Sequence, residues 1–134
     1  MQVSLEGDNS QYRIHSYDSG NITIAIPKQF ETAPEGHQDA DKRLSMWRDT
    51  VTNSCVIMPE QLIRHWGSDN FEDLNSQYFS ELSQYQPEIV LFGSGKTLRR
   101  PAAAMLASLT NAGIGVEIMD TGAACRTYNI LMSD

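Results

Sequence analysis

The feature that most constrains this chain is a pair of short, continuously apolar runs in its last third, EIVLF at 88–92 and GVEIM at 115–119. Between them, Gly93-Ser94-Gly95-Lys96-Thr97 reads as a tight turn. Pro101 then opens AAAMLASLTNA, a helical stretch that Gly113 ends. Strand, helix and strand at this spacing make a βαβ unit, whose strands are expected to be parallel with a right-handed crossover. The segment Asp120 to Leu131 continues it. Asp120 or Thr121 can cap a helix that places Ala124, Tyr128 and Leu131 on one face.

Upstream, YRIHSY and ITIAIP flank Asp18-Ser19-Gly20-Asn21, which predicts a β-hairpin over 12–27. Residues 28–43 hold Phe30 as their only large apolar side chain among polar residues, Pro and Gly, and are expected to form a mobile loop. TVTNSCVIM at 50–58 reads as a third strand stopped by Pro59. That proline also suits the first turn of a helix running through EQLIRHW to Gly67. A second helix is expected after Asp69 or Asn70, with Phe71, Leu74, Tyr78, Leu82 and Tyr85 on its buried face and Glu72, Asp73 and Glu81 in solvent.

At 134 residues the chain has the size of one domain, and with 40% hydrophobic and 20% charged residues its composition is globular. The net charge of −7 argues against non-specific nucleic-acid binding, which needs a basic footprint. The charge is uneven: residues 1–90 carry 14 acids and 6 bases, residues 91–134 carry 3 acids and 4 bases. Lys96, Arg99 and Arg100 fall within five residues. Cys55 and Cys125 lie in no CxxC or Cys/His spacing, and His15, His37 and His65 are scattered, so no disulfide framework, metal site or other cofactor is expected. The start, MQVSLEGDNSQY, has neither signal- nor transit-peptide character, and no apolar run approaches the roughly 20 residues that span a bilayer. The expectation is a cytoplasmic protein that does not span a membrane.

Gly95-Lys96-Thr97 has the tail of a phosphate-binding P-loop, but Val90 stands where the pattern needs its first glycine, so the cradle is too short. A weaker anion site is conceivable. Lys96, Arg99 and Arg100 precede an expected helix N-terminus, where they either point into water or dock a carboxylate or phosphate. Parallel sheets bind ligands at the carboxyl ends of their strands, which brings Gly93, Ser94, Gly95 and Lys96 to the same edge as Asp120, Thr121 and Arg126. Asp120 beside Lys96 or Arg126 could be an ion pair joining two loops or an acid/base group. Cys125, near the start of the last helix, is either an activated thiol or a small buried packing residue. No complete catalytic set emerges.

The run MDTGAACRTYNIL at 119–131, with PEIVLFGSGKT before it, resembles a family of small α/β domains. That family includes the mitochondrial respiratory complex I assembly factor of the third type and the adipogenesis-associated domain proteins, with many uncharacterised bacterial members. The resemblance covers about two-thirds of the chain, being strongest over 87–132. It implies a three-layer α/β single domain with a mixed sheet, and roles in assembling or accompanying other proteins with no established reaction. The matching positions are Gly93, Ser94, Gly95, Asp120, Thr121, Ala124, Arg126, Tyr128 and Asn129. Against the family pattern, residues 28–48 read as an insertion, and the resemblance leads one to expect one more strand than the sequence to Asp134 holds, which bears on how the sheet edge is covered. Two functional readings result. The first is a non-enzymatic accessory or assembly-type protein that binds another protein. The second is a small-anion-binding or catalytic domain using the crevice between Ser94 and Arg126. Open strand edges could also pair two copies as a homodimer.

Overall fold

The computed structural model describes residues 10–32, 38–41 and 46–133. The chain forms a mixed α/β domain with both antiparallel and parallel strand pairs. Strands β1 (Arg13–Asp18) and β2 (Asn21–Pro27) make the expected hairpin. Its turn uses Gly20 at φ +85°, where no Cβ is needed for packing and none is easily tolerated. β2 pairs antiparallel with β4 (Met46–Val51), and β4 with β3 (Gln38–Asp41), giving the order β1-β2-β4-β3.

Within residues 28–43, read as a mobile loop, Gln38–Asp41 form β3, held by backbone pairing with β4. At the start of that segment, Phe30 stacks on Tyr12 with ring centroids 5.5 Å apart, while positions 33–37 and 42–45 lie outside the described residues.

Two further expectations fail for one reason. The strand expected over 50–58 is broken at Thr52–Cys55 into β4 and β5 (Val56–Met58). The helix expected over 59–66 is instead the second arm of a hairpin, β6 (Gln61–Ile63), which pairs Val56 with Ile63 and Met58 with Gln61. Pro59 and Glu60 form the two-residue connection. Proline presets φ for a turn as readily as for a helix start, and VIM facing QLI across that turn can bury apolar residues without a helix.

The second expected helix is present in pieces. A single 3₁₀ turn at Phe71–Asp73 gives way to extended Leu74 and Asn75. The Asn75 side chain accepts hydrogen bonds from the N–H groups of Gln77 and Tyr78, capping α1 (Ser76–Glu81). A 3₁₀ turn at Leu82–Tyr85 follows and stops at Gln86, whose φ of 51° is left-handed. The break rotates Phe79, absent from the expected stripe, into complete burial, where it meets Trp66 at 5.4 Å and Phe92 at 5.6 Å.

β7 (Ile89–Gly93) and β8 (Gly115–Met119) are parallel, as expected. The crossover helix is shorter than expected: a 3₁₀ turn at Ala103–Leu106 precedes α2 (Ala107–Asn111), and Lys96 to Ala102 is loop. α3 (Thr121–Met132) is capped by the Asp120 carboxylate, which accepts from the Ala123 N–H at 2.9 Å.

Two apolar clusters result. One gathers Leu74, Phe79, Leu82, Phe92, Leu106, Leu109 and Ile114 around the parallel pair. The other gathers Tyr12, Ile24, Ile26 and Val51 under the first sheet. α3 packs on β7 and on β1, and so touches both the parallel pair and the first sheet.

Candidate functional site

The turn after β7 and the start of α3 are stitched together, as the strand-end argument anticipates. Thr121 N–H donates to the Gly95 carbonyl at 2.9 Å, and Gly95 N–H donates to Thr121 Oγ1 at 2.8 Å. A Cβ at Gly93 would stand 3.0 Å from Thr121 Cα and 3.2 Å from the Ala124 methyl, so only glycine permits this approach. Ser94 is buried at 6% exposure. Its hydroxyl donates to the Thr97 carbonyl at 2.8 Å and accepts from Arg99 N–H at 2.9 Å.

These bonds tie the Ser94 and Thr121 hydroxyls and the Gly95 peptide to the chain's own backbone. Asp120 caps α3 and makes no ion pair with Lys96 or Arg126 among the described residues, which corrects the loop-joining pair considered above. The cations lie in the loop ahead of the first helical turn, which begins only at Ala103. Arg99 turns back over the Phe71 ring at 4.7 Å and pairs with Glu72 at 3.2 Å, an exposed contact of little energetic weight. Lys96 and Arg100 are exposed, as is Leu98 at 50%.

Cys125 is buried, and desolvation pushes its thiol up to about 11, away from the activated state. Cys55 is likewise pushed up by burial to about 11.

Gly93 to Lys96, Arg99 and Thr121 help to line a cavity of about 680 Å³, while Asp120 and Arg126 stand off its wall. Its other walls are mostly apolar. They come from the first sheet (Ile14, Tyr17, Ile22, Val51), from residues 52–55 and β5, from the Phe71–Leu82 segment and from α3.

Two groupings have partners that the sequence pattern does not supply. Asn129, recognised as a motif position, places its side-chain amide against one residue of β1: Ile14 N–H donates to its Oδ1 at 3.0 Å and its Nδ2 donates to the Ile14 carbonyl at 2.7 Å. Tyr128 adds a bond from its hydroxyl to the Tyr12 carbonyl at 2.8 Å. The second grouping joins Arg64 to Glu31 at 2.8 Å and to Asp49 at 3.0 Å, while Tyr12 donates to Glu31. Its members sit 15 and 33 positions apart on different elements, beyond any local pattern.

Comparison with known proteins follows the same fold. A frog (Xenopus tropicalis) protein named NADH dehydrogenase [ubiquinone] 1 alpha subcomplex assembly factor 3 is 30% identical over 88 residues, 64% of this chain and 48% of the frog protein. The cattle (Bos taurus) protein of the same name is 31% identical over 83 residues, 60% of this chain and 45% of its own length. The chain thus spans about half the length of the curated relatives it matches. A Francisella tularensis 13 kDa major membrane protein is 27% identical over 66 residues, covering 49% of this chain and 54% of that protein. Among solved structures, a Xanthomonas campestris protein superposes with TM-score 0.67 at 24% identity over 91% of this chain and 76% of that one. A Bordetella pertussis Mth938-like domain gives 0.66 at 19% identity over 99% of this chain and 85% of its own. The pattern of the family described as "Protein of unknown function (DUF498/DUF598)" matches residues 39–134, and with the βαβ unit, the Gly93–Thr121 contact and the capped α3 all inside that span, the chain belongs to this family.

Proposed function

We propose that this chain is an accessory protein of assembly type, which acts by binding another protein and carries out no reaction of its own. The observation that carries the reading is the state of the turn after β7. Ser94, Thr121 and Asp120 are spent on the chain's own backbone, and what reaches solvent is the loop Lys96, Leu98 and Arg100, an exposed leucine between cations. An apolar side chain flanked by charge suits a protein surface better than a small substrate. The relatives named as assembly factors support the same reading.

The test is affinity capture from the native cell with the parent chain and with a Lys96→Glu/Leu98→Ser/Arg100→Glu variant, which leaves the Arg99 to Glu72 contact intact. A partner retained by the parent and lost by the variant is expected. Equal retention by both, or no reproducible partner, would remove the reading.

A further inference from the structure

The first sheet has two faces of opposite character. In the register of β1, β2 and β4, the rows Ile14–Ile24–Asp49 and Tyr17–Ile22–Val51 turn inward, toward the second apolar cluster and the cavity. Successive strand residues alternate between faces, so the rows Arg13–Ala25–Arg48 and Ser16–Thr23–Thr50 turn outward. None of these six residues lines the cavity, and Ser16 and Thr50 are exposed.

The arginine row concentrates charge around a gap. Arg13 and Arg48 are both cross-strand neighbours of Ala25, so their Cα atoms stand two strand spacings apart, about 10 Å, with only a methyl group between them. Both are half-buried. Arg48 has no ion pair among the described residues, whereas Arg64 holds two carboxylates and Arg99 holds one. On β1, β2 and β4 the outward acid is Asp18 alone, which sits opposite Asn21 and two rows from Ala25, about 14 Å along the strand. The chain has 17 acids for 10 bases, yet these strands set none beside this pair. Two guanidinium groups flanking a gap repel one another until an anion or solvent lies between them.

The next row supplies hydroxyls. Thr23 Oγ1 and Thr50 Oγ1 lie 3.0 Å apart, so one donates to the other and the pair keeps one donor to offer, and Ser16 stands opposite Thr23. His15, the extra residue where the register of β1 slips, is held below its ordinary pKa by burial and by the Arg48 charge. Two arginine forks and these hydroxyls offer more donors than the two oxygens of a carboxylate engage. A phosphoryl group has at least three oxygens, and as a dianion it balances two arginines. A strip of two cations is too short a footprint for a nucleic-acid backbone.

We propose that the outer face of the first sheet carries a phosphate-binding notch, in which Arg48 and Arg13 hold the phosphoryl oxygens of free phosphate or of a small phosphate monoester over the Ala25 methyl, with the Thr23 and Thr50 hydroxyls along its rim. The notch is separate from the Lys96 to Arg100 loop and stands independently of the protein-binding reading.

The probe is inorganic phosphate, titrated at constant ionic strength into the isotope-labelled full chain and followed by amide and arginine side-chain N–H shifts. Saturable shifts at Ala25 and Arg48 are expected, and Arg48→Gln should weaken binding by about tenfold or more. Ala25→Glu sets a carboxylate between the arginines, and should abolish phosphate binding with no loss of thermal midpoint; Ala25→Ser, which leaves the notch open, should keep binding within about twofold. Lys96→Glu/Arg100→Glu should leave the phosphate affinity unchanged. Methyl phosphate separates the sources: tighter binding than phosphate identifies a monoester as the ligand, and equal binding identifies the free anion. Four results would overturn the proposal: shifts that do not saturate; the same shifts from chloride; acetate binding as tightly as phosphate; or affinity lost in the Lys96/Arg100 variant and kept in Arg48→Gln. Should Ala25→Glu fail to fold, Arg48→Gln and Ala25→Ser decide the matter between them. Cellular capture of a partner bears on the assembly reading alone, and the phosphate titration on the notch alone.

Discussion

At Asn129, one side chain does the work of a neighbouring strand. Its amide offers Ile14 one donor and one acceptor, and Ile14 is itself buried at the edge of the first sheet. Asn129→Ala leaves a backbone N–H and C=O without partners, and the cost of such orphaned groups puts the expected loss at about 2 kcal/mol in urea unfolding. A loss near zero would mean water replaces the amide. Gly93 makes a sharper case because the obstacle is backbone: Gly93→Ala drives a methyl against Thr121 Cα and is expected to destabilise by about 1–3 kcal/mol, with Gly20→Ala as the comparison. At Gly20 no atom lies within 4 Å, so the cost there is conformational only, about 1 kcal/mol. Equal effects at the two positions would contradict the close approach of α3 to β7.

At the scale of elements, what was legible and what was not divides by how many physical signals converge. EIVLF and GVEIM, with glycines at the turns and Asp120 ahead of α3, are consistent in pattern, punctuation and capping, and they form as expected. Pro59 is ambiguous in isolation, and VIM with QLI are too short for a period to be read, so the hairpin was indistinguishable from a helix start. The Phe71 to Tyr85 stripe misleads in a different way. Its spacing is helical, but Asn75 competes for the backbone as a cap and breaks the run, which brings Phe79 inward. The candidate residues Gly93, Ser94, Gly95 and Thr121 could be placed at one edge from strand ends alone. That Gly95 and Thr121 bond each other depends on tertiary approach and left no trace in spacing. The end of this segment is testable. Gln86 holds φ at 51°, a region that costs an L-residue about 1–2 kcal/mol, and Gln86→Gly is expected to raise stability by up to about 1 kcal/mol in the same urea assay. A destabilised variant would show that the Gln86 side chain contributes more than its backbone costs.

Across the whole molecule, α3 packs on both β1 and β7, and the groups around its buried side share an electrostatic character. Burial pushes the Cys125 and Cys55 thiols up to about 11, raises the Tyr128 hydroxyl above its usual range, and, with the Glu31 carboxylate, raises Tyr12 as well. Each is held neutral in the fold and ionises more readily once unfolded. A raised folded-state pKa contributes stability that is complete below the unfolded value, near 9 for the thiols and 10 for the tyrosines, and is lost as pH rises toward the folded value. Urea midpoints should therefore be flat with respect to these four groups up to about pH 8.5 and fall between about 9 and 11, with the thiols giving way first. The buried Cys125 supplies on the order of 1 kcal/mol per pH unit in that window. Cys125→Ala removes this titration, so the variant should lose stability at pH 8 through its smaller side chain yet show a shallower decline toward pH 11. The Tyr128 to Tyr12 bond joins α3 to the start of β1, so α3 should detach from β1 as the tyrosines begin to ionise, and amide exchange at Ile14 should accelerate before that at Val90. Parallel slopes for parent and variant, or Val90 opening first, would show that alkaline pH acts elsewhere than at this join.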